Sequence, residues 1–257
     1  MIRSRFTLLS LVLVTFGLGA TLPAAARTPK IALYDDEGSG GKGIPSVQSI
    51  LSAPKFDVTA LSAEDIRSGK LAGYDAVIFT GGSGSKQAET LQATGVDEVR
   101  KFVEAGGGYL GICAGAYLAC DGFSWSAKML NAKTVSQKWR RGHGDVQIEL
   151  TPEGKEILGD FTGLLPVRYA NGPIIKPANS EGLPDYKPLA FFRTELAEND
   201  TPVGVMVNAP AIVAATFGKG KLITMSPHPE QTPALNDMIV HAAQWITKPA
   251  EVAQGSK

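Results

Sequence analysis

A chain of 257 residues, 44% of them hydrophobic, can form one large α/β domain or two small ones. Its 25 basic residues balance 25 acidic ones, which removes any bulk electrostatic case for a nucleic acid or polyanionic partner. The local basic run Lys138-Trp-Arg140-Arg141 reads as solvated surface.

The chain opens with Arg3 and Arg5, an apolar run over residues 6–20, and then Leu22-Pro-Ala-Ala-Ala26. This order of basic, apolar and small-residue segments reads as a bacterial-type secretory signal peptide, residues 1–26, cut after Ala26. The alternative is an uncleaved anchor, but the apolar run falls short of the roughly 20 residues of a spanning helix. Cleavage removes Arg3 and Arg5 and leaves 23 basic against 25 acidic residues, a charge of −2. The expectation is a soluble periplasmic protein with no stable membrane insertion.

Residues 30–34 are a short apolar strand, and the acidic loop Asp35-Asp36-Glu37 follows. Ile44, Val47, Ile50 and Leu51 have helical spacing. Residues 56–61 alternate as a strand, and Ser62 is a good N-cap for the next helix. Residues 74–80 form a buried strand that ends in Gly81-Gly82-Ser83-Gly84-Ser85. An amphipathic helix over residues 96–105 stops at Gly106. The strand around Tyr109 then runs into Cys113. Farther on, residues 145–150 read as a strand, 154–158 as a short helix, and 167–172 lead into Ile174-Ile175. Strands are expected at 189–192, 203–207 and 211–217. Gly218-Lys-Gly220 signals a hairpin into 222–225, and residues 234–246 form a closing helix. Residues 27–247 read as a single domain and 248–257 as a frayed tail. The alternation of strand and helix implies parallel strands with helices on both faces. In such sheets the functional groups collect beyond the carboxyl ends of the strands.

Gly111-Ile-Cys113-Ala-Gly115 parallels the G-x-S-x-G nucleophile elbow. A cysteine there is expected to be exposed at a sheet end, in a setting that favours the nucleophilic thiolate. Ser226-Pro-His228-Pro-Glu230 supplies a partner. His228 would accept the thiol proton and pass it to the leaving group, and Glu230 would orient the imidazole. Residues two apart in an extended chain point to one side, and the prolines restrict the backbone between them. Backbone N–H groups at Gly81-Gly82 and at Ala114 would form an oxyanion hole. Cys120, seven residues after Cys113, is expected to be a small buried hydrophobe, with both thiols free. No cluster has metal-ligand spacing, and no cofactor is implied.

These residues resemble a known family. Gly111-Ile-Cys-Ala-Gly115 and His228-Pro-Glu230 are similar to the motifs of class I glutamine amidotransferase-like domains. Gly111-Ile-Cys-Ala-Gly-Ala-Tyr117, Tyr169-Ala-Asn-Gly172 and Ser226-Pro-His-Pro-Glu230 resemble the branch found as the N-terminal domain of fungal biotin–protein ligases. The resemblance covers residues 29–247. It implies a flavodoxin-like, doubly wound, mostly parallel sheet. It also implies Cys113, His228 and Glu230 as a triad, with Tyr117, Asn171 and Gly172 at the substrate. The Gly-Arg-Gly-Arg-type adenylate loop of a biotin ligase is not among the motifs, so biotinylation is not expected. The reading is a stand-alone, cysteine-dependent amide hydrolase acting on a small amide or γ-glutamyl-type substrate. The competing reading is an inert ligand-binding or envelope-interaction protein on the same scaffold.

Overall fold

The computed structural model describes residues 27–248. The expected leader, 1–26, and residues 249–257 of the expected tail lie outside the described residues. The first half alternates β1 (Lys30–Tyr34), α1 (Gly43–Ile50), β2 (Asp57–Leu61), α2 (Ala63–Arg67), β3 (Ala76–Phe79), α3 (Gly84–Glu104), β4 (Gly108–Ile112) and α4 (Ala114–Ala119). The second half contains β5 (Ala132–Thr134), β6 (His143–Leu150), α5 (Pro152–Leu158), β7 (Leu165–Ala170), β8 (Ile175–Pro177), β9 (Lys187–Phe192), β10 (Pro210–Phe217), β11 (Gly220–Met225) and α6 (Asn236–Thr247).

Local chemistry explains where several elements begin. The Ser62 hydroxyl accepts from the Asp65 amide while the Asp65 carboxylate accepts from the Ser62 amide, a capping box that opens α2. Thr151 caps α5 by accepting from the Gly154 amide, with Pro152 in the first turn where its missing N–H costs nothing. Phe217 and Gly220 close the β10–β11 hairpin across Gly218-Lys219.

One nine-stranded sheet runs in the order β2-β1-β3-β4-β11-β10-β9-β6-β7. The first five strands pair in parallel, in the flavodoxin-like order. The remaining four extend the sheet antiparallel from β11. Alternate side chains of the parallel strands feed two separate cores. Ile31, Leu33, Ile78, Leu110 and Ile112 pack with Val47 of α1, Leu158 of α5 and Met238 of α6. Ala32, Tyr34, Val77, Phe79 and Tyr109 pack with Ile66, Leu91, Val99 and Leu118 of α2, α3 and α4. Each large side chain buried this way contributes about 1.5–3 kcal/mol of transfer free energy. Helices therefore cover both faces, as the α/β alternation requires.

Three sequence expectations are corrected. α3 begins at Gly84 rather than at Val96, because Ser83 accepts a capping hydrogen bond from the Lys86 amide and starts the helix inside the glycine-rich stretch. The helix is broken at Gln92, whose φ of 59° and ψ of 174° interrupt the helical path. Residues 203–207 form turns, not a strand. There the Glu195 carboxylate gathers the amides of Gly204 and Met206, which closes a loop and leaves Val203 78% exposed. The third correction concerns Arg141. It is 2% exposed rather than solvated, because it donates to Glu195 at 3.0 Å and to the Pro202 carbonyl at 2.9 Å.

Candidate active site

The carboxyl ends of β1, β3 and β4 deliver the acidic loop, Gly81 and Cys113 to one end of the sheet. The acidic loop is used structurally. Asp36 accepts from the Ala63 and Glu37 amides, and Glu37 pairs with Lys86. Cys113 has φ 51° and ψ −95°, a conformation that costs a non-glycine residue about 1–3 kcal/mol. Close backbone packing holds it there. A Cβ on Gly115 would lie 2.4 Å from the Phe79 carbonyl oxygen, so only glycine lets α4 start against β3. The Cys113 amide donates to the Met225 carbonyl of neighbouring β11 at 2.8 Å, which ties the elbow to the strand that leads to His228.

The Cys113 side chain is only 5% exposed, so the expected open elbow is instead a covered one. The cover is the end of β7: the thiol donates to the Ala170 carbonyl at 3.4 Å. The next residue, Asn171, has φ 56°. Its carbonyl accepts from the Tyr117 hydroxyl at 3.0 Å, its side-chain oxygen accepts from the Gly142 amide at 2.8 Å, and its Nδ2 lies 3.0 Å from His143 Nε2. A Cβ on Gly172 would meet the Ser226 carbonyl oxygen at 2.0 Å. Tyr117, Asn171 and Gly172 thus stand beside Cys113 as a wall whose polar groups are engaged within the protein.

His228 is 4% exposed and Glu230 2%. Pro229 to Gln231 form a 3-10 turn, not the extended chain expected, yet the turn still brings His228 Nδ1 to 2.8 Å from Glu230 Oε1. Gln231 Nε2 donates to the same carboxylate oxygen at 3.0 Å. Nδ1 is directed at Glu230, and the buried Nε2 has no hydrogen-bond partner within the protein. The His228 pKa is raised to about 10: burial pulls it down, but the neighbouring Cys113 and Glu230 favour the charged imidazole and outweigh the burial. The backbone is pinned by the His228 amide donating to the Arg168 carbonyl of β7.

Gly81 lies against the imidazole, where a Cβ would sit 2.6 Å from His228 Cε1. The bare glycine makes room for the ring. Gly82 has φ 139°, and its neighbours pair with Gly38 and Gly40 through the Gly81 carbonyl and the Ser83 amide. Among the described residues, no hydrogen-bond acceptor is recorded for the amides of Gly82, which is exposed, and Ala114, which is buried.

Sequence reasoning missed several neighbours of this site. Ser226 and Gln231 flank the His228 motif and could have been found from it. Arg141 and the Ala170 carbonyl carried no local signal. Among the described residues, the buried side-chain atoms without partners are Thr80 Oγ1, Gln87 Oε1, Arg141 Nε, Ser226 Oγ, His228 Nε2 and Glu230 Oε2. Such groups are costly unless something polar meets them, and they gather at the strand ends near Cys113 rather than through the core. A cavity of about 1050 Å³ lies elsewhere, along α3 between Gln92, Arg100, Asp121 and Trp125. None of Cys113, His228 and Glu230 lines it, and the strained, titratable residues mark the chemistry better than cavity size does.

The sheet has flavodoxin-like order, with Cys113 at the β4 elbow and the carboxylate-braced His228 after β11. Residues 30–138 match the family model described as biotin–protein ligase, N terminal, a stretch that includes Cys113 and stops before His228. The chain is 26% identical over 209 residues to an uncharacterized protein of Chlamydia muridarum, covering 67% of this chain and 68% of that one. Among solved structures it is similar to a GMP synthase subunit from Thermoplasma acidophilum, with a TM-score of 0.54 and 19% identity over 86% of this chain and 97% of that one. A ThuA-like protein of Bacteroides uniformis gives a TM-score of 0.56 and 17% identity, with 88% and 95% covered. At these identities the structural likeness is one of fold.

Proposed function

We propose that this protein is a cysteine-dependent amide hydrolase acting on a small amide or γ-glutamyl-type carbonyl. The observation that carries the reading is Cys113 held at positive φ beside the buried His228–Glu230 pair. Strain of that kind persists where the surroundings enforce it, and it clusters at reacting positions. The raised His228 pKa keeps the shared proton on the imidazole, and the Cys113 sulfur adds to the substrate carbonyl carbon. The backbone amides of Gly82 and Ala114 are the candidate oxyanion donors; one such donor is worth about 2.7–4 kcal/mol in the transition state. Collapse breaks the C–N bond as the imidazolium gives its proton to the leaving amine. Water, deprotonated by His228, then adds to the thioester, and the C–S bond breaks to release the acid and restore the thiol.

The test is iodoacetamide labelling of Cys113 across pH, with hydrolysis of amide substrates in parallel. Fast labelling at neutral pH, slowed in His228→Ala, is the expected result. A Cys113→Ala variant that hydrolyses as fast as wild type sinks the mechanism. A thiol inert to labelling would leave the scaffold as a binding protein.

The reading also places the protein in the periplasm, on the basic, apolar and Ala-rich order of residues 1–26. Mass spectrometry of the expressed protein checks this by whether the chain begins at Arg27.

A further inference from the structure

We infer that Arg141 is a specificity residue of the Cys113 site, which takes a carboxylate carried by the substrate. The inference rests on the amide-hydrolase reading and adds the substrate's charge.

Arg141 is a buried guanidinium beside this wall. Its Nη2 donates to Glu195 and its Nη1 to the Pro202 carbonyl, but its Nε–H has no partner although the residue is 2% exposed. A buried, charged donor left open is expensive, and a bound anion would repair it. The surroundings place Arg141 at the wall of the Cys113 site. The next residue, Gly142, exchanges two hydrogen bonds with Asn171: its amide donates to Asn171 Oδ1 at 2.8 Å and its carbonyl accepts from the Asn171 amide at 3.1 Å. Asn171 follows Ala170, whose carbonyl receives the Cys113 thiol. The hydroxyls of Tyr117 and Tyr169 donate to the Asn171 and Gly172 carbonyls, and the positive charge of Arg141 acts on both phenols. Arg141 therefore borders the turn that faces the thiol.

The ion pair with Glu195 does not cancel this role. Glu195 is itself saturated, since Oε1 accepts from Arg141 and the Met206 amide and Oε2 accepts from the Gly204 amide. Those amides hold the carboxylate in its own loop and leave Arg141 Nε free. Ser226 Oγ, buried, unpartnered and beside Gly172, is a second open polar group at the same turn. A planar guanidinium edge with a hydroxyl nearby suits a carboxylate, as in a free amino-acid or γ-glutamyl group, better than a neutral amide.

A matched pair of alkylating probes tests the idea. Iodoacetate and iodoacetamide react with a thiolate in the same way: the C–S bond forms, the C–I bond breaks and iodide leaves. They differ only in carrying a carboxylate or a neutral amide. The readout is the ratio of their rates at Cys113, divided by the same ratio for N-acetylcysteine. Wild type is expected to favour iodoacetate by about tenfold over that reference, the effect of one charge-assisted hydrogen bond. Arg141→Gln should return the ratio to the reference, and Arg141→Lys should restore part of the preference. A wild-type ratio equal to the reference, with Cys113 still labelled quickly by iodoacetamide, overturns the carboxylate subsite and leaves the hydrolase reading intact. Failure of both probes to label Cys113 rejects both. Should Arg141→Gln not fold, protection of wild-type Cys113 by glutarate but not by glutaramide supports the subsite, and equal protection by both overturns it.

Discussion

The two ends of α4 carry the same side chain in opposite circumstances. At its start, Cys113 is held at positive φ, faces a carbonyl of β7 and adjoins a histidine braced by a carboxylate. At its end, Cys120 is fully buried, and burial, with the nearby Asp121, pushes its thiol pKa up to about 12. Six residues of helix separate a strained thiol beside a histidine from one packed among apolar side chains. Composition cannot distinguish the two cysteines. What distinguishes them is the backbone each one ends and the charged group each one meets.

That contrast can be broken or sharpened by experiment. Removing the base should have the largest effect: His228→Ala is expected to lower amide hydrolysis about 10²–10⁴-fold while leaving the fold intact, measured as kcat/KM alongside circular dichroism. Forcing a methyl between α4 and β3 should come next. Gly115→Ala would press Cβ toward the Phe79 carbonyl, and we expect a loss of about 1–3 kcal/mol in urea denaturation, with slower Cys113 labelling. At the quiet end, Cys120→Ser leaves a hydroxyl in an apolar setting and should cost about 1–3 kcal/mol without changing labelling of Cys113. Cys120 itself should react only as the protein unfolds.

A pH dependence of stability is the remaining expectation. Folded His228 keeps its proton to about pH 10, against about 6.5 in the unfolded chain. The native state then binds more protons between those values, so this group stabilises the fold fully below about pH 6.5 and progressively less as pH rises toward 10. Its share of the slope is at most about 1.4 kcal/mol per pH unit. Thermal melts of wild type and His228→Gln across that range should converge as pH rises. Parallel curves would mean that His228 is not coupled to Cys113 and Glu230 as described.

How far the sequence can be read differs between the halves of the chain. Up to Cys113 the strand–helix alternation, the Ser62 cap and the glycine elbow are local signals, and each strand expected there forms. Later, residues 203–207 have the composition of a strand but form turns, because Glu195 collects their amides and no sheet edge takes them. The early start of α3 was hidden by glycines and serines that read as loop, although Ser83 is a good cap.

The sequence by itself determined the α/β alternation, the cysteine elbow and the His228-Pro-Glu230 pair, because backbone propensity and short-range geometry set these within a few residues. Only the tertiary structure decided that Ala170 covers the thiol, that Gly81 clears the imidazole and that Arg141 is buried beside Asn171. Those contacts join segments far apart in the chain. The end of β7, the far edge strand of the sheet, reaches the cysteine through the Ala170 carbonyl. No local pattern encodes that meeting; it follows from how the whole sheet closes its hydrogen bonds and buries its two cores.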